Sequence, residues 1–148
     1  MPTPRLIVCE KTSRWAIAFR RGLGKRMPLV LETRSLDDCR RELIASPASV
    51  AAIEASEANL EASITAVAKW SREFPLARLI GLLNEESEPA SLALREAGAI
   101  LVFDSARQAS ASSRLVLRHL ESAPPEELPL REAIYARLPW RGWAVLEQ

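Results

Sequence analysis

Five short apolar runs constrain the fold of this chain more than any other feature of its sequence. They cover residues 6–9, 29–31, 50–53, 79–83 and 100–103, and most of their side chains are β-branched or aliphatic. Each run is apolar at successive positions, which is typical of a strand buried on both faces, whereas a strand with one solvated face alternates. The runs therefore predict five buried strands of a parallel sheet.

The segments between these runs have the apolar spacing of helices. Trp15, Phe19 and Leu23 recur at i, i+4 and i+8 and predict a first helix, with Gly24 as its C-cap. Ser35 stands three residues before an aspartate, which is close to a capping box. A second helix is therefore predicted to start there.

Three further helices are predicted from proline, glycine and apolar positions. The third ends before Pro75, and the fourth runs from Pro89 to Gly98, because proline suits a first helical turn and glycine a C-terminal cap. The fifth covers about residues 107–122. The residues along one side of it are Leu115, Val116, His119 and Leu120.

Strands that alternate with helices of this length form βαβ units, whose right-handed crossovers build a parallel sheet covered on both faces. Five such repeats occupy residues 5–122. The predicted fold is a flavodoxin-like three-layer α/β/α sandwich, with a five-stranded parallel sheet of order 2-1-3-4-5. We assign residues 1–122 to this domain.

Residues 123–148 differ in character from the repeats and are predicted to form a C-terminal extension. A polar linker at Pro124 and Pro125 leads to a short amphipathic segment and a cluster of aromatic, basic and apolar residues. Because tryptophan and arginine are enriched at binding hot spots, the cluster is a candidate partner-binding site. The alternative is that it packs on its own domain or on a second copy. The amphipathic positions are Leu130, Ile134 and Leu138, and the cluster contains Arg137, Leu138, Trp140, Arg141 and Trp143.

The composition excludes several functional classes. A formal net charge of +1 carries no footprint of nucleic-acid or anionic-membrane binding. Cys9 and Cys39 are too few for a disulfide framework, and no run approaches the ~18 to 20 apolar residues that span a membrane. The first apolar run has strand length rather than the length of a signal-peptide core, so we expect a cytoplasmic protein. The single histidine, His119, excludes a zinc site with several imidazoles and is expected to be a surface or packing residue.

Acidic side chains follow three of the predicted strands. Glu10, Glu54 and Asp104 come at the ends of the first, third and fifth runs, and open α/β sheets bind ligands at the carboxyl ends of their strands. Three carboxylates at this edge could hold a divalent cation. The alternative is that they are solvated or pair with Lys11 and nearby arginines. The sequence GLGK at residues 22–25 lacks P-loop spacing and follows a helix, so it predicts no phosphate site.

The sequence ALREAGA at residues 93–99, followed by the strand ILVF, resembles the receiver domain of two-component response regulators. The resemblance extends over about residues 5–122. It implies an acidic pair after strand 1, a phosphoacceptor aspartate after strand 3, a hydroxyl after strand 4 and a lysine after strand 5. In that family the acids hold magnesium, the aspartate is the nucleophile, and the lysine and hydroxyl bind phosphoryl oxygens.

The chain departs from this pattern at every one of these positions. One acid replaces the pair, a glutamate stands at the phosphoacceptor position, and an acid stands where the lysine belongs. Only three of the 19 acidic residues are aspartates. This scarcity agrees with a receiver-like fold that has lost the aspartate-based phosphorylation chemistry of the family. The corresponding positions are Cys9 and Glu10 at the end of strand 1, Glu54 at the end of strand 3, Leu83 and Asn84 at the end of strand 4, and Asp104 and Ser105 at the end of strand 5.

These departures predict a pseudo-receiver: a non-phosphorylatable, non-enzymatic regulatory domain that needs no cofactor and acts through protein–protein interaction. Glu54 is one methylene longer than aspartate, which displaces the nucleophile in a site that depends on positioning. We expect Glu54 to make a salt bridge or hydrogen bond with Lys11 or an arginine. The alternative for Glu54 is that it imitates a phosphorylated aspartate. The alternative function is a flavodoxin-like domain that binds a small molecule or a divalent metal.

The resemblance also implies a surface for partners. Receivers typically pair through the face formed by helix 4, strand 5 and helix 5. We therefore expect a protein partner or a homodimer at this face, and neither nucleic acid nor membrane. In this sequence the face includes Ala93, Ala97, Arg107, Arg114 and Arg118.

Overall fold

The computed structural model describes residues 3–122 and residue 134, without the side chains of residues 26–28. Five parallel strands form one sheet of order β2-β1-β3-β4-β5, so the predicted fold class and strand order are confirmed. Leu6 is aligned with Val30 on one side and with Val50 on the other. The strands are β1 (Leu6–Cys9), β2 (Val30–Thr33), β3 (Val50–Ala55), β4 (Arg78–Leu83) and β5 (Leu101–Phe103).

Six helices lie within residues 3–122, and their ends follow the predicted capping residues. The N-cap Ser35 accepts a hydrogen bond from the main-chain N–H of Asp38 at 3.1 Å. Gly24 and Gly98 have φ values of +63° and +130°, a region that favours glycine, and each follows a helix. The helices are α1 (Arg14–Leu23), α2 (Leu36–Ala45), α3 (Leu60–Glu73), α4 (Glu88–Ala97), α5 (Ala106–Ala111) and α6 (Ser113–Ser122).

The predicted fifth helix is wrong as a single helix, because it divides into α5 and α6. The division lies where α1 comes very close: a Cβ on Gly22 would lie 2.1 Å from Oγ of Ser113. The Ser113 hydroxyl is buried and donates to the Ala109 carbonyl at 3.0 Å. In α6, Val116 and Leu120 are buried at 3% and 7% exposure, whereas Leu115 is 54% exposed.

The strand bounds agree with the predicted run for β1 and differ by one or two residues at one or both ends for the other four strands. A 3₁₀ helix at Gly24–Leu29 takes the place of the start of the second run, and β2 extends through the polar Glu32 and Thr33. Polar residues are tolerated there because β2 pairs with a neighbour on one side alone. The apolar pattern therefore located every strand to within two residues at each end.

Two hydrophobic cores lie on opposite faces of the sheet. Helices α2, α3 and α4 cover one face, where Leu43, Trp70 and Leu94 are buried. Helices α1, α5 and α6 cover the other face, where Trp15 and Phe19 are completely buried. Within residues 3–122, no helix is long and apolar enough to cross a membrane. All five strands point the same way, so their carboxyl ends meet along one edge, where the predicted site residues lie.

Candidate functional site

Glu10 follows β1 directly and is 2% exposed. Its carboxylate accepts hydrogen bonds from the main-chain N–H of Trp15 at 2.9 Å and of Ala16 at 2.7 Å. These amides belong to the first turn of α1, whose donors have no partner within the helix. Ser13, the N-cap residue, makes no capping bond with its own side chain. Glu10 therefore caps α1 in place of the serine.

Burial and hydrogen bonding act on Glu10 in opposite directions. Burial raises the pKa of its carboxyl, and the negative charges of Glu54 and Glu32 raise it further. The two amide donors from Trp15 and Ala16 oppose this by lowering the pKa. The net shift is upward, so Glu10 is a desolvated carboxylate held in place by the protein's own main chain.

Glu54 belongs to β3 and is 8% exposed, yet its carboxylate has little hydrogen bonding. Oε1 lies 3.5 Å from the main-chain N of Lys11. Within residues 3–122 no ion pair involves Glu54, so the expected contact with Lys11 is to the main chain rather than to the ammonium group. Its carbonyl oxygen accepts from Oγ of Ser63 at 3.2 Å, which ties the strand end to α3.

The positions after β4 and β5 have structural roles in this molecule. Leu83 is 4% exposed and belongs to the apolar core, and the exposed Asn84 accepts from Nη1 of Arg14 at 3.2 Å. The main-chain N–H groups of Asp104 and Ser105 donate to Oε1 of Gln108 at 2.8 and 3.3 Å. The Asp104-Ser105 pair therefore starts α5.

A network beside Glu10 was missed by the sequence reasoning. Nη1 of Arg34 donates to the carbonyls of Glu10 at 3.3 Å and Thr12 at 3.0 Å, and Nη2 donates to Ser13 and Glu32. Glu32 also pairs with Arg20 at 2.9 Å. A hydrogen bond from Ser13 and its two arginine partners lower the pKa of Glu32. The available signal was the i, i+2 spacing of Glu32 and Arg34, which places both on one side of an edge strand.

The remaining sequence candidates lie elsewhere. His119 has its Nε2 3.1 Å from the carbonyl of Ala48, which precedes β3 at the opposite edge of the sheet. Glu10, Glu54 and Asp104 do not assemble a cation site, because no group of three histidine, cysteine or acidic residues within the described part is placed to hold a metal ion. The partner-binding candidates Arg137, Leu138, Trp140, Arg141 and Trp143 lie outside the described residues.

Comparison with solved structures places this arrangement among known folds. A response regulator from Thermotoga maritima superimposes with a TM-score of 0.68 at 16% identity, covering 81% of this chain and 99% of that one. A CheY-like protein (TadZ) from Pseudomonas aeruginosa PAO1 superimposes with a TM-score of 0.64 at 19% identity, covering 85% and 98%. The chain has the fold of a response-regulator receiver domain.

The receiver fold is shared here without close sequence similarity. No protein-family model matches the sequence, and the comparison with curated proteins gave no match. A response regulator from Burkholderia pseudomallei, solved with a phosphorylated aspartic acid and a calcium ion, has a TM-score of 0.56 at 17% identity, covering 90% of this chain and 82% of that one. In this receiver fold, by contrast, the strand-end positions carry a helix cap, a weakly bonded glutamate and the start of α5.

Proposed function

We propose that this receiver-fold domain is a regulatory module that acts through protein–protein contact and does not carry a phosphoryl group at Glu54. The observation that carries the proposal is the use of Glu10 as a helix cap. Of the acidic pair that the resemblance implies for holding magnesium, one acid remains, and its oxygens already accept two amide hydrogen bonds. The carboxylate that a cation would need is thus already hydrogen-bonded to main-chain amides of the same chain.

The free energy of releasing Glu10 opposes cation binding. Each buried main-chain N–H left without an acceptor costs about 1–3 kcal/mol, and two such groups, on Trp15 and Ala16, depend on this carboxylate. A magnesium ion that drew Glu10 away from both amides would therefore have to offset several kcal/mol. Capping by Glu10 stabilises the fold, and the same hydrogen bonds oppose metal binding.

The other strand ends do not supply charge for a phosphoryl group. Asp104 stands where the resemblance places a lysine, and it would repel the phosphoryl oxygens that a lysine attracts. Asn84 is exposed and accepts from Arg14, which occupies its carbonyl oxygen. Glu54 would thus be a nucleophile without the electrostatic partners that phosphoryl transfer needs.

Phosphoryl chemistry is tested directly with acetyl phosphate and with beryllofluoride, each supplied with Mg²⁺. We expect no change in intact mass and no saturable change in the fluorescence of Trp15, whose main chain touches Glu10. A working receiver treated in parallel shows that the reagents are active. A mass increase or saturable signal that is present in the wild type and absent in Glu54→Gln would overturn the proposal.

The surface proposed for partners combines α4, β5, α5 and α6. It carries exposed apolar side chains, since Leu92 is 56% exposed and Ile100 is 55% exposed, and its exposed charged residues include Arg107 and Arg114. Exposed apolar residues rimmed by charges are typical of interaction surfaces. A protein partner, or a second copy of the chain, is the proposed occupant.

A charged substitution tests this surface without affecting the core. We expect Leu92→Glu to abolish self-association in sedimentation velocity, or capture of a partner, while the unfolding midpoint in urea stays unchanged. Ile44→Glu is the matched control, because Ile44 is 52% exposed on α2, away from this surface. Equal effects of the two substitutions would contradict the proposed location.

A further inference from the structure

A cleft opens between the loops that follow β3 and β4, next to the strand-end positions. Its volume is about 590 Å³, and it is lined by residues 55–58 and 83–87 together with Leu60 and Ala90. Ala55, Leu83 and Ala90 are buried side chains of the apolar core beneath it. The floor of the cleft is therefore made of apolar side chains, of which Ala58 and Leu60 are the more accessible.

Three exposed glutamates, Glu57, Glu85 and Glu86, stand around this floor. The residues lining the cleft include no lysine or arginine, and the exposed Arg14 reaches its rim by donating to Asn84 at 3.2 Å. Among the described side chains, none of the three carboxylates belongs to an ion pair. Other surface acids in the same range do pair with arginines. Those paired acids are Glu32, Asp38, Glu42 and Glu73.

An apolar floor beside three carboxylates that join no ion pair favours a ligand that combines a cation with apolar surface. Arginine binds carboxylates through two parallel hydrogen bonds, and neighbouring aromatic rings can cover the floor. An anionic ligand, including a phosphate, would be repelled by Glu57, Glu85 and Glu86. The cleft thus fits a peptide that contains arginine and aromatic residues and lacks acids.

We propose that residues 137–143 of this same chain, with the sequence RLPWRGW, dock in this cleft within one molecule. The segment contains two arginines and two tryptophans and no acidic residue. Its charge complements Glu57, Glu85 and Glu86, and its tryptophans match the apolar floor. This inference goes beyond the proposed function and does not depend on whether Glu54 accepts a phosphoryl group.

The connecting chain is long enough for this contact. Helix α6 ends at Ser122, and the bond from His119 to Ala48 places that end at the amino edge of the sheet, opposite the cleft. Fourteen residues, 123–136, separate Ser122 from the docking segment. The six residues of β3 span about 20 Å, and fourteen residues can reach at most about 46 Å. The segment is therefore within reach of the cleft.

Paramagnetic broadening of the tryptophan indole signals in the full-length chain tests the contact. A nitroxide on Ala58→Cys, an exposed position lining the cleft, should broaden the signals of Trp140 and Trp143. We expect an intensity loss of about twofold or more, because a tethered segment is present at millimolar effective concentration. The same labelled variant with its nitroxide reduced serves as the reference for each tryptophan signal. The unmodified chain carries buried native thiols and, treated with the same label, provides the blank.

A nitroxide on Ala45→Cys is the matched control, since Ala45 is exposed at the end of α2 and at the other edge of the sheet. The proposal requires stronger broadening from position 58 than from position 45. Equal broadening from both positions, or none from position 58, would overturn it. Broadening that appears when labelled and unlabelled chains are mixed would assign the contact to a second copy and would also overturn it.

Charge reversal tests which groups make the contact. Glu85→Lys combined with Glu86→Lys should remove the broadening from position 58, and adding Arg137→Glu and Arg141→Glu to that variant should restore it. Glu96→Lys, at an exposed position on α4 away from the cleft, is the matched control and should leave the broadening unchanged. If the double lysine variant and Glu96→Lys behave alike, the proposed charge complementarity is wrong.

Discussion

The carboxyl edge of the sheet has two halves that contain similar carboxylates with very different bonding. In the β1–β2 half, Glu10 accepts two short hydrogen bonds from main-chain amides and Glu32 pairs with two arginines. In the β3–β4 half, Glu54 has a contact at 3.5 Å, and the glutamates around the cleft join no ion pair within residues 3–122. The acids of one half are used by the fold, and those of the other half are open to a ligand.

The difference shows that burial alone does not assign a role to a carboxylate. Glu10 and Glu54 are 2% and 8% exposed, so burial hardly distinguishes them. They differ in donors: α1 begins beside Glu10 and presents two unpaired amides, whereas a single amide reaches Glu54 at long distance. A buried acid with internal donors stabilises the fold, whereas one without them lowers stability unless something else binds it.

Removing the Glu10 carboxylate should produce the largest effect. Glu10→Ala leaves the amides of Trp15 and Ala16 without an acceptor and removes the cap of α1, so we expect a loss of about 2–4 kcal/mol in the free energy of unfolding. Urea unfolding followed by circular dichroism measures it. Glu42→Ala is the control, because its pair with Arg5 is partly exposed at 3.5 Å and should cost less than about 1 kcal/mol. Similar losses in both variants would contradict the capping role.

Neutralising Glu54 should have the opposite sign. Glu54→Gln removes a buried, weakly bonded charge and its repulsion of Glu10, so we expect unchanged or slightly increased stability, within about 1 kcal/mol. The pKa of Glu10 should fall in this variant, because the charge of Glu54 helps to raise it. Carbon-13 NMR titration of the Glu10 carboxyl measures the shift. A marked loss of stability would show that Glu54 is held as firmly as Glu10.

The pH dependence of stability should separate Glu32 from Glu10. The folded pKa of Glu32 lies below its ordinary value of 4.5, so its contribution is present above that value and is lost as the pH falls through the folded pKa. The folded pKa of Glu10 lies above 4.5, so ionisation of Glu10 costs stability at neutral pH and that cost is relieved as the pH falls. Urea unfolding from about pH 7 to pH 3 should therefore show the advantage of wild type over Glu32→Gln shrinking with acid. If the advantage of the wild type persisted at low pH, the stabilisation by Glu32 would not depend on its ionised carboxylate.

The sequence predicted the fold well because the signals for it are local. The apolar runs marked the central strands, and Ser35, Gly24 and Gly98 marked helix ends through their own backbone preferences. Strand order then followed from the short right-handed crossovers. The division between α5 and α6 escaped prediction, because it coincides with contact between Gly22 and Ser113, which lie far apart in sequence.

The sequence predicted where the site residues lie, but not which hydrogen bonds and ion pairs they form. The sequence placed Glu10, Glu54 and Asp104 at strand ends, since the end of a strand is a local property. Which of them gains donors depends on where α1 starts relative to β1 and on the pairing of β1 with β2, which brings Arg34 to the carbonyl of Glu10. Periodicity carries no information on such contacts, so the cap and the arginine network emerged only from the structure.

The smallest effect is expected where the two halves meet. Nη1 of Arg14 donates to Oδ1 of Asn84 at 3.2 Å across the edge, and both side chains are exposed. Water competes for such a bond, so Arg14→Ala and Asn84→Ala should each change the free energy of unfolding by less than about 0.5 kcal/mol. Arg14 also lies 5.3 Å from the ring of Trp15, so its single-variant loss should be the larger of the two. A double-mutant cycle measures the coupling free energy between Arg14 and Asn84 alone. A coupling above about 1 kcal/mol would mean that the β1–β2 half and the β3–β4 half of the edge stabilise each other.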